Sequence, residues 1–270
     1  SGFHPFILTV WGSDVLIAEK SKIAKLLIKF VFKKADLITC DAEHIRKAII
    51  KLGANPQKIK IIYFGVDIEK FSPDQKDGKI IEQLRLQNSS VIISLRNLEP
   101  IYDLETLIRS IPLVLKELPK IKFIIVGKGS EEEKLKNLAK NLKIRENIDF
   151  IGFIPNDDLP KYLRTADIYV STSLSDAGIS ASTAEAMACG LPVIITDTGE
   201  NEKWVKDGEG GYLIRVKKPE VLAEKIISLA RKEYLRKEFG ENNRKIIEDK
   251  NNYSKEMVKM EQLYKTKASL

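Results

Sequence analysis

Short, β-rich apolar runs alternate regularly with stretches of helical periodicity, and this alternation restricts the fold more than any other feature of the sequence. Short apolar runs are typical of strands buried on both faces, and apolar residues recurring every three to four positions are typical of helices. The alternation therefore predicts βαβ units, with parallel sheets covered by helices. The predicted strands are 6–10, 37–40, 59–64, 91–95, 122–126, 148–152, 167–171, 192–196 and 211–214, and the predicted helices are 16–34, 43–52, 103–118, 131–142, 157–164, 180–189, 201–206 and 219–231.

A polar, turn-rich segment at 72–90 divides the chain, with "SPDQKDGK" and "LQNSS" as its clearest parts. About three βα units precede this break and about six strands follow it. The tail at 233–266 is helical in pattern, highly charged and without a predicted strand. The break therefore predicts a domain boundary, and six strands are enough for a complete doubly wound sheet.

Composition narrows the function classes without choosing one. The net charge of +7 and the pI near 9.1 suit an anionic ligand, an acidic membrane surface or nucleic acid, and a solvated Lys-rich and Glu-rich surface explains them equally well. Basic residues do not interleave with aromatic ones, so nucleic-acid binding has only the net charge in its favour.

Cys40 and Cys189 are the two cysteines, without metal-ligand spacing, and they favour a reducing cytosol. No apolar run reaches membrane-spanning length, no signal peptide is recognisable, and the first residue, Ser rather than Met, favours a fragment or a trimmed chain.

The stretch "SDAGISASTAEAMACGLPVI" (175–194) has the pattern of a phosphate site. It follows a predicted strand and opens a helix, whose free first-turn N–H groups and dipole favour an anion. Gly178 allows close backbone approach, and Glu185 lies seven residues, about two turns, further on. A carboxylate there can accept hydrogen bonds from two ribose hydroxyls. The alternative is an exposed glutamate paired with a lysine.

Several segments together resemble glycosyltransferase family 4, whose members are retaining enzymes of the GT-B fold. "AEAMACGLPVI" resembles the family signature, and "YFGVDIEKFSP" resembles its Gly-Val-Asp…Phe-x-Pro linker. The other matching segments follow in the family's order at 35–53, 123–135, 148–173 and 196–214, so that the resemblance covers residues 5 to about 250.

The resemblance implies an α/β, GT-B architecture of Rossmann-like parallel sheets. The implied domains are a partial N-terminal, acceptor-side domain with linker at 1–73, a complete nucleotide-sugar-binding domain at 74–250, and a C-terminal helix at 251–270 returning towards the first domain. Because family members have a longer N-terminal domain, its first part is expected to be missing here.

The resemblance also implies roles for single residues on the donor side. Glu185 matches the second glutamate of a family pair, which holds the donor ribose, whereas the first falls on Ala177. Either Asp176 substitutes for that missing acid, or the sugar is contacted only by backbone N–H groups. Those groups belong to Gly178, Ile179 and Ser180.

Arg96 matches the arginine that grips the donor diphosphate, and a family lysine is replaced here by Tyr102-Asp103. Tyr102 can donate one hydrogen bond but brings no charge. Gly127 and Lys128 lie in a loop that lines the donor cleft in the family, although a plain turn explains "VGKGS" as well. Phe153 and Ile154 match positions whose backbone meets the nucleotide base.

At the N-terminal end, the loop that follows strand 6–10 has two open interpretations. Gly12 and Ser13 could approach the diphosphate or the acceptor. Asp14 is the nearest candidate for an acceptor-side base, and capping of helix 16–34 is the favoured alternative. His4 and His44 are the only histidines and are interpreted as structural, so that no metal site is predicted.

Helix 16–34 combines lysines with apolar residues. Such helices can lie on anionic membranes. We favour the simpler expectation that it packs on its sheet with a lysine-rich outer face.

The predicted function is transfer of a sugar, with retention, from a UDP- or GDP-linked donor to a hydroxyl of a polysaccharide, glycolipid or lipid-linked glycan. The donor is the substrate and no cofactor is expected. The protein is expected to be cytoplasmic, with a peripheral contact at the inner face of the membrane as an option. The chain alone is expected to bind the donor but to turn over slowly or not at all. A nucleotide-sugar-binding module without activity is the main alternative, favoured by Ala177 and Tyr102, and an epimerase of the same architecture is a weaker one.

Overall fold

A computed structural model of the chain describes residues 4–11, 15, 22–176 and 178–268. The chain divides into two compact units, one of residues 1–67 and 251–270 and the other of residues 68–250. Both units contain a sheet whose neighbouring strands all run parallel.

The secondary structure alternates between strands and helices, as the sequence pattern predicts. The strands are β1 (Ile7–Val10), β2 (Leu37–Cys40), β3 (Ile59–Ile61), β4 (Val91–Leu95), β5 (Lys122–Val126), β6 (Ile148–Gly152), β7 (Ile168–Ser171), β8 (Val193–Thr196) and β9 (Gly211–Ile214). The helices are α1 (Lys22–Lys34), α2 (Glu43–Lys51), α3 (Gly78–Gln83), α4 (Leu104–Glu117), α5 (Glu132–Asn141), α6 (Leu159–Thr165), α7 (Ala181–Ala188), α8 (Asn201–Trp204), α9 (Pro219–Arg231), α10 (Glu233–Lys250) and α11 (Tyr253–Ala268).

The first unit is built on a sheet of order β1-β2-β3. All four residues of the central strand β2 are buried. The start of α11 is tied to the segment after β3, because Val66 N–H donates to the carbonyl of Asn251 at 2.7 Å and Tyr253 N–H donates to the carbonyl of Val66 at 3.0 Å. The buried carboxylate of Glu256 accepts a further hydrogen bond from the N–H of Tyr63 at 3.0 Å. Residues from both ends of the chain therefore complete this unit.

The second unit contains a sheet of order β6-β5-β4-β7-β8-β9. From β4, successive strands first extend the sheet to one side through β5 and β6, and the chain then returns to place β7 on the other side of β4. This reversal is a topological switch point, and loops at the carboxyl ends of β4 and β7 diverge there. Open parallel sheets bind their ligands at such a point, so it positions the candidate site.

The polar segment at 72–90 contains one helix that the sequence pattern did not predict. Helix α3 has only six residues, too few for a clear helical period. Asp77 caps it, since its side chain accepts from the N–H groups of Lys79 and Ile80 at 2.9 and 3.0 Å. The side chain of Ile80 is buried. The helix is therefore stabilised by the Asp77 cap and by the burial of Ile80.

Close packing of two backbone segments gives a stability test at Gly240. This residue lies inside α10, and a Cβ placed on it would lie 2.0 Å from the carbonyl oxygen of Gly190, which follows α7. We expect Gly240→Ala to lower the free energy of unfolding by about 2 kcal/mol, although alanine favours a helix over glycine by about 1 kcal/mol. Urea unfolding measures the difference.

Gly78→Ala is the matched control, because a Cβ on Gly78 meets nothing within 4 Å. This variant is expected to unfold at an unchanged or slightly higher urea concentration. Equal stability of the two variants would contradict the close approach of Gly240 to Gly190.

Candidate functional site

A buried ion pair joins the loops that follow β4 and β7 at the switch point. Arg96 Nη2 donates to Asp176 Oδ1 at 2.6 Å and to the hydroxyl of Ser173. The side chains of Arg96 and Asp176 are only 8% and 7% exposed. Because an isolated buried charge is costly, each of these two groups requires the other. Two predicted site residues 80 positions apart are thus brought together.

The Tyr102 ring covers the same guanidinium, with 4.3 Å between Arg96 Cζ and the ring centroid. Tyr102 ends a single 3-10 turn, Pro100–Tyr102, whose position is set by Thr172. The Thr172 hydroxyl donates to the carbonyls of Tyr102 and Asp103 at 3.1 and 2.9 Å. Tyr102 therefore acts on Arg96 through its ring face, a cation–π contact, as well as offering the predicted phenol.

Asn201 is a site residue that the sequence pattern did not single out. It opens α8, is buried, and its Nδ2 donates to the carbonyl of Thr196 at 2.9 Å and to Asp176 Oδ2 at 3.4 Å. Ser173 was missed as well. Their positions in the sequence could have indicated both residues. Ser173 follows β7 and Asn201 follows β8, and residues that follow neighbouring parallel strands lie at the same edge of the sheet.

Several buried polar atoms at this end of the sheet have no hydrogen-bond partner within the described residues. They are Ser94 Oγ, Arg96 Nε, Ser171 Oγ, Thr198 Oγ1 and Asn201 Oδ1. Buried polar groups are normally paired, so unpaired atoms like these indicate a place where water or a polar ligand completes the hydrogen bonds. The arrangement offers a charged donor together with acceptors, which suits an anionic ligand carrying hydroxyl groups.

Glu185 lies in α7 among small buried residues, including Ala184, Ala186 and Ala188. Burial raises the pKa of its carboxyl from 4.5 to about 7, against the opposing charge of Lys70 and a hydrogen bond from Asn156. The amine of Lys70 also contacts the side chains of Asn156 and Asp157. Glu185 is therefore not the simple exposed glutamate that the alternative interpretation required.

The contact with Asn156 places Glu185 beside the loop that follows β6. This loop contains Phe153 and Ile154, the predicted base-contacting positions. The Phe153 side chain is exposed and the Ile154 side chain is buried. Glu185 and the predicted base positions are thus brought to the same part of the second unit.

The side chain of Ser180 caps the amino end of α7. The hydroxyl of Ser180 accepts a hydrogen bond from the N–H of Thr183 at 3.3 Å. Gly178 is buried, whereas Ile179 and Ser180 are partly exposed. Residues 12–14 and 177 lie outside the described residues, so the predictions for Gly12, Ser13, Asp14 and Ala177 remain predictions.

The glycine-rich loop 127–129 owes its glycines to packing. A Cβ on Gly127, whose φ is +139°, would lie 2.2 Å from the carbonyl oxygen of Arg96. A Cβ on Gly129 would lie 2.3 Å from the carbonyl oxygen of Leu98. The loop and the segment after β4 therefore pack backbone against backbone, which holds Lys128 next to the Arg96 loop.

The described part of the chain contains neither a metal-binding cluster nor a membrane-spanning helix. Within residues 4–11, 15, 22–176 and 178–268, no group of three or more His, Cys, Asp or Glu could hold a metal ion. In the same part of the chain, no helix combines the length and the apolar character that crossing a bilayer requires.

The raised pKa of Glu185 gives a pH test of the folded state. The folded form favours the protonated carboxyl, so this contribution to stability is fully present below pH 4.5 and is lost as the pH rises through about 7. We expect Glu185→Gln, which is neutral at every pH, to gain stability relative to the unchanged protein across that interval. The expected gain is on the order of 2 kcal/mol, since partial exposure reduces the penalty.

Urea unfolding at pH 4.5, 6 and 8 measures this difference. Glu238→Gln is the control, because Glu238 is an exposed residue of α10. A pH-independent difference between Glu185→Gln and the unchanged protein would show that Glu185 ionises normally.

Comparison with known proteins places this chain in a family. The family model "Glycosyl transferases group 1" matches residues 76–246, and the model "Glycosyl transferase 4-like" matches residues 1–42.

An uncharacterized glycosyltransferase of Methanocaldococcus jannaschii is 30% identical over 243 residues, which are 89% of this chain and 61% of that protein. A GDP-mannose-dependent alpha-(1-6)-phosphatidylinositol monomannoside mannosyltransferase of Mycolicibacterium smegmatis is 26% identical over 199 residues, 71% of this chain and 52% of that protein. The chain thus spans between 52% and 61% of the length of these two relatives.

Among solved structures, the Anabaena protein HepE in complex with UDP and glucose is similar to this chain, with a TM-score of 0.85. The sequence identity is 22%, and the similarity covers 98% of this chain and 72% of HepE. At that identity the likeness shows the fold alone. The predicted fold class, α/β with the parallel sheets of the GT-B type, is confirmed. Because the first family model matches more than half of the residues, the chain belongs to the glycosyl transferases group 1 family.

Proposed function

We propose that this protein is a retaining hexosyltransferase that moves a sugar from a nucleotide-diphosphate sugar to a hydroxyl of a polysaccharide, glycolipid or lipid-linked glycan. The observation that carries the proposal is the buried Arg96 at the switch point, whose Nε has no partner within the described residues. A guanidinium in that state can offer directed hydrogen bonds to a diphosphate. Family membership supplies the reaction class.

Asp176 takes part through the oxygen that Arg96 does not use. Its Oδ1 accepts from Arg96 at 2.6 Å, whereas its Oδ2 has only the long contact of 3.4 Å with Asn201. Oδ2 can therefore accept a hydrogen bond from a hydroxyl of the donor sugar. In this proposal Asp176 replaces the acid that is absent at Ala177, and Asn201 positions Asp176.

Glu185 and its neighbouring loop hold the nucleoside part of the donor. The carboxylate accepts hydrogen bonds from the ribose hydroxyls, and the backbone of Phe153 and Ile154 meets the base. The proposal takes both UDP and GDP as candidates, because HepE was solved with UDP and the Mycolicibacterium relative is named as GDP-mannose-dependent.

In the proposed reaction, the bond between the anomeric carbon and the diphosphate oxygen breaks. A bond from the same face of the sugar to the acceptor oxygen forms, and the acceptor proton passes to the departing diphosphate. Arg96 and the amino end of α7, at Gly178, Ile179 and Ser180, stabilise the charge that develops on the diphosphate. In this proposal Lys128 contributes to the donor side, Gly12 and Ser13 contact the diphosphate or the acceptor, and Asp14 is the candidate acceptor-side base.

Direct assays test the proposal. Calorimetry with UDP and GDP is expected to show binding of one of the two, and incubation with UDP-glucose and GDP-mannose plus a glycan acceptor tests transfer. Because this chain alone is expected to turn over slowly or not at all, nucleotide binding without release of the diphosphate favours a nucleotide-sugar-binding module, which Ala177 and Tyr102 also suit, only when it is observed with the complete gene product. Binding of neither nucleotide would contradict both functions.

Arg96→Lys tests the proposed diphosphate contact. Lysine keeps the charge but loses the planar fork, so we expect the affinity for the bound nucleoside diphosphate to fall about tenfold or more, equivalent to about 1.4 kcal/mol. The affinity for the matching nucleoside monophosphate is expected to fall much less. Calorimetry measures both ligands.

Arg109→Lys is the control, since Arg109 is half-exposed and pairs with Glu105 on the surface of α4. Its nucleotide affinity is expected to stay within twofold of the unchanged protein. An equal loss of diphosphate and monophosphate binding in Arg96→Lys would count against the assigned role.

Donor binding is also expected to depend on pH through Glu185. Only the ionised carboxylate accepts two ribose hydrogen bonds, and its pKa is about 7. The affinity for UDP-glucose or GDP-mannose is therefore expected to rise about tenfold between pH 5.5 and 8, and to be independent of pH in Glu185→Gln. These sugar nucleotides are suitable probes because their diphosphate groups do not titrate in this interval. A pH-dependent rise that persists in Glu185→Gln would assign the effect to another group.

A further inference from the structure

A chain of hydroxyl groups joins strand β7 to the amino end of α7. The Tyr169 hydroxyl lies 2.9 Å from Ser182 Oγ and accepts a hydrogen bond from the Thr183 hydroxyl at 3.4 Å. Thr183 Oγ1 in turn lies 2.8 Å from Ser180 Oγ, which also caps the helix. Tyr169 is 0% exposed, so these contacts supply the partners that its buried hydroxyl needs. The chain therefore leads from the buried sheet to the first turn of α7.

Tyr169 is a rigid starting point for this chain of hydroxyls. Strand β7 pairs with β4 on one side and with β8 on the other, and all four of its residues are buried. Tyr169 itself is in register with Ile93 and Val193 on these two neighbours. The position of its hydroxyl is therefore fixed by the centre of the sheet.

Helix α7 needs such an anchor because it is short and most of its buried side chains are small. It has eight residues, and Ala184, Ala186 and Ala188 are among those that are buried. Helices of about two turns are marginal on their own in water, and small side chains bury little apolar surface. The hydrogen bonds to Tyr169 are therefore a strong constraint on the position of the first turn.

The Tyr169 hydroxyl also lies close to the Arg96–Asp176 pair. Burial raises the pKa of this hydroxyl, the charge of Arg96 opposes the rise, and the charge of Asp176 adds to it. The hydroxyl therefore remains neutral at physiological pH and keeps its proton for a hydrogen bond. Tyr169 is thus linked to the amino end of α7 by hydrogen bonds and to Arg96 by the charge of the guanidinium.

We propose that Tyr169 is a positioning residue, which holds the amino end of α7 where its N–H groups and Arg96 can bind the same diphosphate. This inference rests on the proposed function, because that function supplies the diphosphate. Tyr169 acts through Ser182 and Thr183 and not by contact with the ligand. A nucleoside diphosphate needs both groups in place, whereas a nucleoside monophosphate lacks the second phosphate and depends on them less.

Tyr169→Phe tests the proposal, since it removes the hydroxyl and keeps the buried ring. In the protein without nucleotide, the amides of Thr183 and Ala184, which both donate to Ser180, are expected to exchange with solvent about fivefold faster. The affinity for UDP or GDP, whichever the unchanged protein binds, is expected to fall about fivefold. The affinity for the matching monophosphate is expected to fall less than about twofold, and calorimetry measures both ligands.

Ser182→Ala tests the same contact from the helix, and it serves if Tyr169→Phe fails to fold. This variant removes one partner of the Tyr169 hydroxyl, so the diphosphate affinity is expected to fall about threefold. Because both substitutions break one contact, the double variant is expected to lose no more affinity than Tyr169→Phe alone. Additive losses would instead assign Ser182 a contact of its own with the ligand and would overturn the proposed chain.

Tyr212→Phe is the matched control. Tyr212 lies on the edge strand β9, which β8 separates from β7, and its ring packs edge-on against Phe239 with the centroids 5.7 Å apart. The diphosphate affinity of this variant, and the exchange of the Thr183 and Ala184 amides, are expected to stay within about twofold of the unchanged protein.

The two measurements separate failure of the anchor from failure of the proposed function. Unchanged amide exchange in Tyr169→Phe would overturn the anchor, and faster exchange with unchanged diphosphate affinity would overturn its role in binding. Equal losses of diphosphate and monophosphate affinity would assign Tyr169 to general stability and would also overturn that role. If the unchanged protein bound no nucleoside diphosphate, the proposed function would be wrong and the role in binding with it, whereas amide exchange would still report on the anchor.

Discussion

The buried pairing of Arg96 with Asp176 is the interaction on which the proposed site depends. A guanidinium that is 8% exposed is stable only with a partner of opposite charge, and Asp176, Ser173 and the ring of Tyr102 together surround it. The pairing requires the ends of β4 and β7 to be neighbours, although Ser173 lies 77 positions from Arg96 in the chain. The order of strands around the switch point supplies that neighbourhood.

Glu185 illustrates how protein burial changes the chemistry of an ordinary residue. Glu185 lies in a helix of small residues that packs closely on its surroundings, and the loss of hydration moves its pKa to about 7. A carboxyl group in that state costs stability at neutral pH, which proteins accept at positions that bind ligands. A ligand whose hydroxyl groups donate to the carboxylate would recover part of this cost.

How far the sequence predicts the fold depends on the length and regularity of each element. Strands β2, β4, β5, β6 and β9 and helix α9 agree with the predicted bounds, because their apolar runs end at clear turn signals. Helix α3 was missed because six residues carry no measurable period. Helix α1 exposes Ile23, Leu26, Leu27 and Phe30 in addition to the expected lysines, since periodicity gives the angles between side chains but not which side is covered.

The sequence by itself determined the α/β alternation, the placement of Arg96 and Asp176 after strands, and the spacing of Gly178 and Glu185, because these are local properties of the chain. Only the tertiary structure decided that Arg96 is paired with Asp176, that Asn201 joins them, and that burial raises the pKa of Glu185. The physical reason is that pairing and dehydration depend on neighbours far away in the chain. Those neighbours are determined by the order of the strands within the sheet.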